Sequence, residues 1–175
     1  MKYTHLGAGS GRQIRQAPKI RTQTRLRLAG FTLVELVIAV AIVAVIGVIA
    51  VPAYQDYVDR ANMAQSGVDI TDISSHLERF FIDKNRYPGS LSEIGMDGLR
   101  DPWGNPYRYL AILGGGFRVQ TRVRKDNNLV PINSDFDLYS MGKDGRSSIP
   151  LTAPNSLDDI VRANNGRYVG SAKDY

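Results

Sequence analysis

The spacing of apolar residues changes near residue 52, and this change predicts two kinds of helix in one element. Residues 36–51 form an unbroken apolar run. The surrounding segment, residues 31–53, has 23 residues, and as a helix it is about 35 Å long, enough to cross a ~30 Å hydrocarbon core. We therefore predict a transmembrane helix here. Pro52 lacks a backbone donor and clashes with the preceding turn, which predicts a kink.

After Pro52 the apolar residues recur at steps of three and four, as on an amphipathic helix. The apolar face consists of Met63, Ile70, Ile73, Leu77 and Phe80, with Phe81 beside it. Such a helix packs one face against a folded domain and exposes the other. We expect it to end near Asn85, because Pro88 disfavours the helical conformation of the residue before it.

The remainder of the chain predicts short elements separated by turns. Ser90 and Glu93 have the spacing of a capping box, and Gly95 would stop the resulting helical turn. Residues 107–113 and 117–124 are predicted strands joined by three glycines, and a third strand is expected at 136–140. In residues 117–124 every second residue is polar or basic, which predicts a basic face toward water. A helix followed by a small antiparallel sheet is an α+β fold.

Charge is distributed unevenly along the chain. The net charge is +5, but the first thirty residues contain seven Lys or Arg and no Asp or Glu. The rest has 15 basic and 17 acidic residues, a net charge of −2. A nucleic-acid-binding protein should carry its basic surface on the folded domain, so we do not expect nucleic acid as a partner. Basic residues before an apolar span instead predict a cytoplasmic N-terminus and an extracytoplasmic domain after residue 54.

Composition excludes several kinds of active site. The chain has no cysteine and only two histidines, so zinc–thiolate sites and thiol catalysis are excluded. His5 lies in the basic leader, so a Ser-His-Asp triad would need His76, which lies in a helical pattern. We predict that the protein is not an enzyme.

The hexapeptide G-F-T-L-V-E at residues 30–35 places one carboxylate, Glu35, at the entrance of the apolar run. A carboxylate at this depth in lipid is costly and usually functional. The hexapeptide resembles the processing site of type IV pilins and of type II secretion pseudopilins. That resemblance implies cleavage after Gly30 by a prepilin peptidase, methylation of the new amine of Phe31, and a role for Glu35 and Pro52 in filament assembly.

Two further segments narrow the resemblance. D-P-W-G-N-P-Y at residues 101–107 and D-L-Y-S-M-G-K-D-G at residues 137–145 resemble the major pseudopilin of type II secretion systems. That family binds calcium in the following loop, through aspartates and backbone carbonyls. The resemblance implies a calcium site formed by Asp144 and Asp159 with Leu138 and Met141. The alternative is an Asp-Gly turn followed by a helix that Ser156 and Asp159 would cap and that would run to Asn164.

These observations predict three regions: a cleaved basic leader (1–30), a transmembrane and assembly helix (31–53) and an extracytoplasmic pilin-like domain (54–175). The resemblance implies an inner-membrane subunit that polymerises with itself and meets other pseudopilins and secretion-platform proteins during protein export. A type IV pilin for adhesion, motility or DNA uptake is the alternative. A cleaved signal peptide, a simple anchor and a membrane-tethered enzyme or binding domain are the remaining interpretations.

Overall fold

The computed structural model describes residues 30–175, which fall into two units: the first ends at Val43 and the second comprises Ala44–Tyr175. Two helices and four strands are present in this part of the chain. The helices are α1 (Leu33–Lys84) and α2 (Phe117–Gln120), and the strands are β1 (Arg108–Ala111), β2 (Phe136–Ser140), β3 (Ile160–Ala163) and β4 (Tyr168–Ser171). Residues 1–29 of the predicted leader (1–30) lie outside the described residues.

Within the second unit, α1 packs one face against the sheet. Ile70, Ile73 and Leu77 are fully buried there, as their spacing predicted. Met63 lies on the side of α1 that faces the sheet, in a groove with Ile160 and Val169, but it stays 37% exposed. Two serines, Ser66 and Ser74, are buried on this helix instead. Small side chains allow close approach of the helix to the sheet, and the Ser74 hydroxyl is satisfied by the Ile70 carbonyl at 2.7 Å.

The end of α1 is close to its predicted position. The helix stops at Lys84, and Asn85 has a positive φ of 54° while its N–H donates to the Phe81 carbonyl at 2.7 Å. Asparagine tolerates this left-handed conformation better than most residues. Residues Leu91–Ile94 then form a 3₁₀ turn that ends at Gly95 with φ 71°, which confirms the predicted short helical turn. The predicted capping box is wrong, because Ser90 makes no side-chain cap hydrogen bond and Glu93 accepts from the Gly89 N–H instead.

The four strands form one antiparallel sheet in the order β1-β2-β3-β4. Alternate residues of a strand face opposite sides, and both sides are covered here. One face packs under α1 through Phe136, Leu138 and Ile160. The other face forms a second core cluster of Ile132, Leu151, Val161, Ala163 and Ala172. The predicted α+β class, with a helix on a small antiparallel sheet, is therefore confirmed.

The predicted strand at residues 117–124 is wrong. Residues Phe117–Gln120 form the single helical turn α2, and the partner of β1 is β2. Alternation alone makes a strand only where a face is buried, and here Phe117 is 85% exposed while Val123 is fully buried. The basic face is wrong in part as well, because Arg124 is 3% exposed.

The alternative of a capped helix ending at Asn164 is also wrong. Residues Pro154–Ser156 form a 3₁₀ turn, and Ile160–Ala163 form the central strand β3. This strand is buried at all four positions, and burial on both faces of the sheet favours a strand over a local capping signal. The strand β4 pairs with β3 and completes the sheet.

Candidate functional site

The predicted processing site lies immediately before α1. Residues 30–32 precede the helix, and Gly30 and Phe31 are both exposed, Phe31 to 83%. Apart from Gly30 itself and its chain neighbours, no atom of the described residues lies within 4 Å of a Cβ built on Gly30. The peptide bond after Gly30 is therefore non-helical and unobstructed within the described chain, as a peptidase substrate must be. Cleavage itself stays a prediction.

Thr32 and Glu35 form a reciprocal cap at the start of α1. The Glu35 N–H donates to Thr32 Oγ1 at 3.2 Å, and the Thr32 N–H approaches Glu35 Oε2 at 3.5 Å. This is the geometry of a capping box, in which each side chain satisfies a backbone donor of the other residue. An acidic residue in the first turn also complements the helix dipole. Glu35 is thus locally compensated in a single chain, although its charge has no cationic partner within the described residues.

The apolar residues after Glu35 expose their side chains. An 18-residue window of α1 has a mean hydropathy of 3.0 and none of it is buried. Leu33, Val37 and Ile46 are between 58% and 79% exposed. A helix of this length and composition is able to cross a membrane.

Pro52 lies inside α1 and does not end it. Proline has no N–H, so the helix loses one backbone hydrogen bond at this point. The kink expected there stays a prediction.

The two C-terminal segments that carried the resemblance contact each other. Asp101 orders the first segment by accepting hydrogen bonds from the N–H groups of Trp103, at 3.1 Å, and Asn105, at 2.7 Å. Its other oxygen accepts from the Ser140 hydroxyl at 2.5 Å, and the Asn105 amide donates to the Gly142 carbonyl at 2.9 Å. The turn of residues 101–107 therefore fixes the chain that leaves β2.

This unit is also attached to α1. The Tyr107 hydroxyl donates to Asp69 Oδ2 at 2.7 Å. Burial raises the pKa of Tyr107 above its usual value, and the hydrogen bond to Asp69 raises it further. Trp103 is partly buried and packs against the core beside the sheet, in line with the turn-anchoring role expected of a large aromatic residue.

The four residues of the predicted calcium site are distributed between β2 and the start of β3. Leu138 is a core residue of β2, and Met141 follows that strand with its sulfur near Arg108 Nε at 3.3 Å. Asp144 is exposed and accepts from the Arg146 N–H at 2.7 Å. The residues that the structure describes include no group of three or more His, Cys, Asp or Glu side chains placed to hold a metal ion.

Asp159 already has a positive partner. It is fully buried, and its Oδ2 accepts from Arg124 Nη2 at 2.5 Å and from the Ser147 hydroxyl at 2.6 Å. Burial raises the pKa of Asp159 to about 6, against the opposing effects of Ser147 and Arg124. The donor set at Asp159 therefore does not fit a calcium ion, since a guanidinium already balances the carboxylate. Calcium binding stays a prediction made from resemblance.

Two important residues were not found by sequence reasoning. Thr32 has a detectable signal, because T-x-x-E before an apolar run is a capping-box pattern. Arg124 has none, because its partner Asp159 lies 35 residues away and no local pattern marks the pairing.

Comparison with known proteins gives a match to the N-terminal motif and matches over most of the chain. The family model for the prokaryotic N-terminal methylation motif matches residues 25–51. The chain is 26% identical to the type II secretion system core protein G of Aeromonas hydrophila, over 69% of this chain and 87% of that protein. It is 28% identical to the protein of the same name from Pseudomonas aeruginosa, over 70% of this chain and 88% of that protein. No solved structure gives a significant match.

Proposed function

We propose that this chain is a pseudopilin, a structural subunit that polymerises to drive protein export by a type II secretion system. One observation carries the proposal: a prepilin-type methylation motif at residues 25–51 opens a chain that is similar to core protein G over about 70% of its length. The motif alone also suits a type IV pilin. The similarity of the remaining domain favours secretion.

Processing is the first step of the proposed function. A prepilin peptidase cleaves after Gly30 and methylates the amine of Phe31. The exposed, non-helical position of both residues supports this step. Cleavage removes the seven basic residues of the leader and creates a positively charged terminus at Phe31, four residues before Glu35.

Assembly is the second step. The amine of Phe31 pairs with Glu35 of a neighbouring subunit, where water is scarce and an isolated charge is costly. The exposed apolar face of α1 then packs against the same face of other copies, away from lipid and water. Van der Waals packing between the α1 helices stabilises this contact, while the charge pair sets the axial register of the subunits.

Location follows from the same residues. The chain waits in the bacterial inner membrane as a single-pass protein. The basic leader holds the N-terminus in the cytoplasm, and the domain after residue 54 lies in the periplasm. There it meets other copies, other pseudopilins and the proteins of the secretion platform. Its role is structural rather than enzymatic.

Deletion of the gene in the source bacterium tests the proposal. We expect folded exported enzymes to accumulate in the periplasm, and expression of the wild-type chain to restore export. The Glu35→Ala variant should be processed but should fail to restore export. Normal export in the deletion strain, with loss of surface filaments, motility or DNA uptake, would replace the proposal with the pilin interpretation.

A further inference from the structure

Arg124 is an unusually buried cation for a residue between surface turns. Its side chain is 3% exposed, and its guanidinium carbon lies 4.4 Å from the centre of the Tyr139 ring. Burying a charge is costly unless it is paired and hydrogen-bonded. Its backbone is also held, because its N–H donates to Asp137 Oδ2 at 2.6 Å. The contacts of the guanidinium must therefore offset the cost of burying its charge.

The hydrogen-bond partners of the Arg124 guanidinium all belong to the loop between β2 and β3, residues 141–159. The guanidinium donates to Ser147 Oγ, to the Ser148 carbonyl at 2.5 Å and to Asp159 Oδ2 at 2.5 Å. Ser147 and Asp159 are in turn hydrogen-bonded to each other. One side chain thus connects the middle of the loop with its end.

The loop is closed around this contact by a second polar pair. The Ser148 N–H donates to Ser156 Oγ at 2.8 Å, and that hydroxyl donates to the Ser148 carbonyl at 3.1 Å. Beyond this point the Ala172 N–H donates to the Asp159 carbonyl at 2.8 Å. The position of Asp159 therefore affects both the loop and the chain after β4.

A divalent cation would do the same work by collecting carboxylate and carbonyl oxygens from separate parts of a loop. We infer that Arg124 supplies this positive charge from within the chain, so that the loop of residues 141–159 folds without a divalent cation. The guanidinium takes one carboxylate, one carbonyl and one hydroxyl. A calcium ion at Asp159 would have to lie beside a fixed positive charge, and the two would repel.

One carboxylate oxygen of this cluster is not used by Arg124 or Ser147. Asp159 Oδ1 is buried and has no hydrogen-bond partner, so a cation could bind it only if the loop opened. The experiment therefore needs a calcium arm as well as substitutions.

The test is thermal melting of the full chain in detergent, followed by circular dichroism, in EDTA and in millimolar calcium chloride. We expect the wild-type melting temperature to be the same in both. Arg124→Met should lower it by about 6–20 °C, because one member of a buried ion pair is left alone. The matched control is Arg122→Met, at an exposed arginine two residues away, which should change it little.

A double variant keeps the test decisive if Arg124→Met does not fold. Arg124→Met combined with Asp159→Leu removes both charges, and it should recover much of the lost melting temperature. Trypsin reports on the loop directly, because Lys143 and Arg146 lie inside it. We expect cleavage there to be slow in the wild type in EDTA and fast in Arg124→Met.

Two results would overturn the inference. The first is a wild-type melting temperature that falls by several degrees in EDTA and returns with calcium. The second is an Arg124→Met variant that melts and resists trypsin no differently from Arg122→Met, or a double variant that recovers none of the stability lost in Arg124→Met.

Discussion

Replacement of Glu35 by glutamine separates the charge of this residue from its shape. The glutamine carbonyl can still accept from the Thr32 N–H, as Glu35 Oε2 does at 3.5 Å. Thr32 Oγ1, which accepts from the Glu35 N–H at 3.2 Å, can accept from the backbone N–H of the glutamine in the same way. A capping interaction contributes about 1 kcal/mol, and most of it should survive. The start of α1 should therefore form normally, and only the negative charge is lost.

The lost charge matters because its proposed partner is a positive amine. Two unit charges 4 Å apart attract by about 4 kcal/mol at an effective dielectric constant of ~20. Desolvation of the two charges cancels part of this attraction. Each ~1.4 kcal/mol that remains changes the equilibrium constant of subunit association by a factor of ten. Because α1 presents no other charged residue between Glu35 and Asp56, no neighbouring carboxylate can substitute. We expect at least a hundredfold fall in assembled filament.

The assay measures filaments and processing in the same cells. Cross-linked multimers in intact cells and the monomer in the membrane pool are quantified by immunoblot, and the mass of the membrane form is determined. Glu35→Gln should give a processed membrane pool with almost no filament. The control is Thr32→Ala, which removes the cap hydroxyl and keeps the charge, and it should assemble nearly as the wild type does. Wild-type filament levels from Glu35→Gln would refute the charge-pairing mechanism.

Three further predictions concern the folded domain, each measured by urea unfolding of the chain in detergent. Ile73→Ala removes a fully buried side chain and should lower the free energy of unfolding by about 2–5 kcal/mol. Val68→Ala, at a 63% exposed position of the same helix, should lower it by less than about 1 kcal/mol. Equal losses in the two variants would contradict the helix–sheet packing. Gly142→Ala should destabilise strongly, because its φ is +62° and a Cβ would lie 2.3 Å from the Asp158 carbonyl oxygen, while Gly98→Ala meets nothing within 4 Å and should be tolerated. Tyr107→Phe removes a hydrogen bond to a carboxylate and should cost about 1.5–3 kcal/mol; no loss would show that this contact does not fasten the turn to α1.

Elements with strong local signals were predictable from the sequence. The apolar run specifies a helix because any segment in lipid must satisfy its own backbone. Ile70, Ile73 and Leu77 repeat at helical spacing, and their burial follows from that spacing alone. Strand β2 has a short apolar-rich sequence between turns, which was also sufficient.

Long-range pairing decided the elements that were mispredicted. Residues 117–124 alternate like a strand, yet β1 pairs with β2, and Phe117 gains no buried face. Residues 156–164 carry a helix-capping signal, yet the sheet buries Ile160 and Val161 on opposite faces. The pairing of Arg124 with Asp159 spans 35 residues, so its position inside the domain depends on the complete fold.

The mass of the native N-terminus tests the account most directly. The chain is purified from membranes of its own bacterium, and its first peptide is sequenced by mass spectrometry. The account predicts a chain that begins at N-methylated Phe31. A chain that retains the basic residues before Gly30, or one that begins at Tyr54, never presents the amine that Glu35 requires and would contradict it.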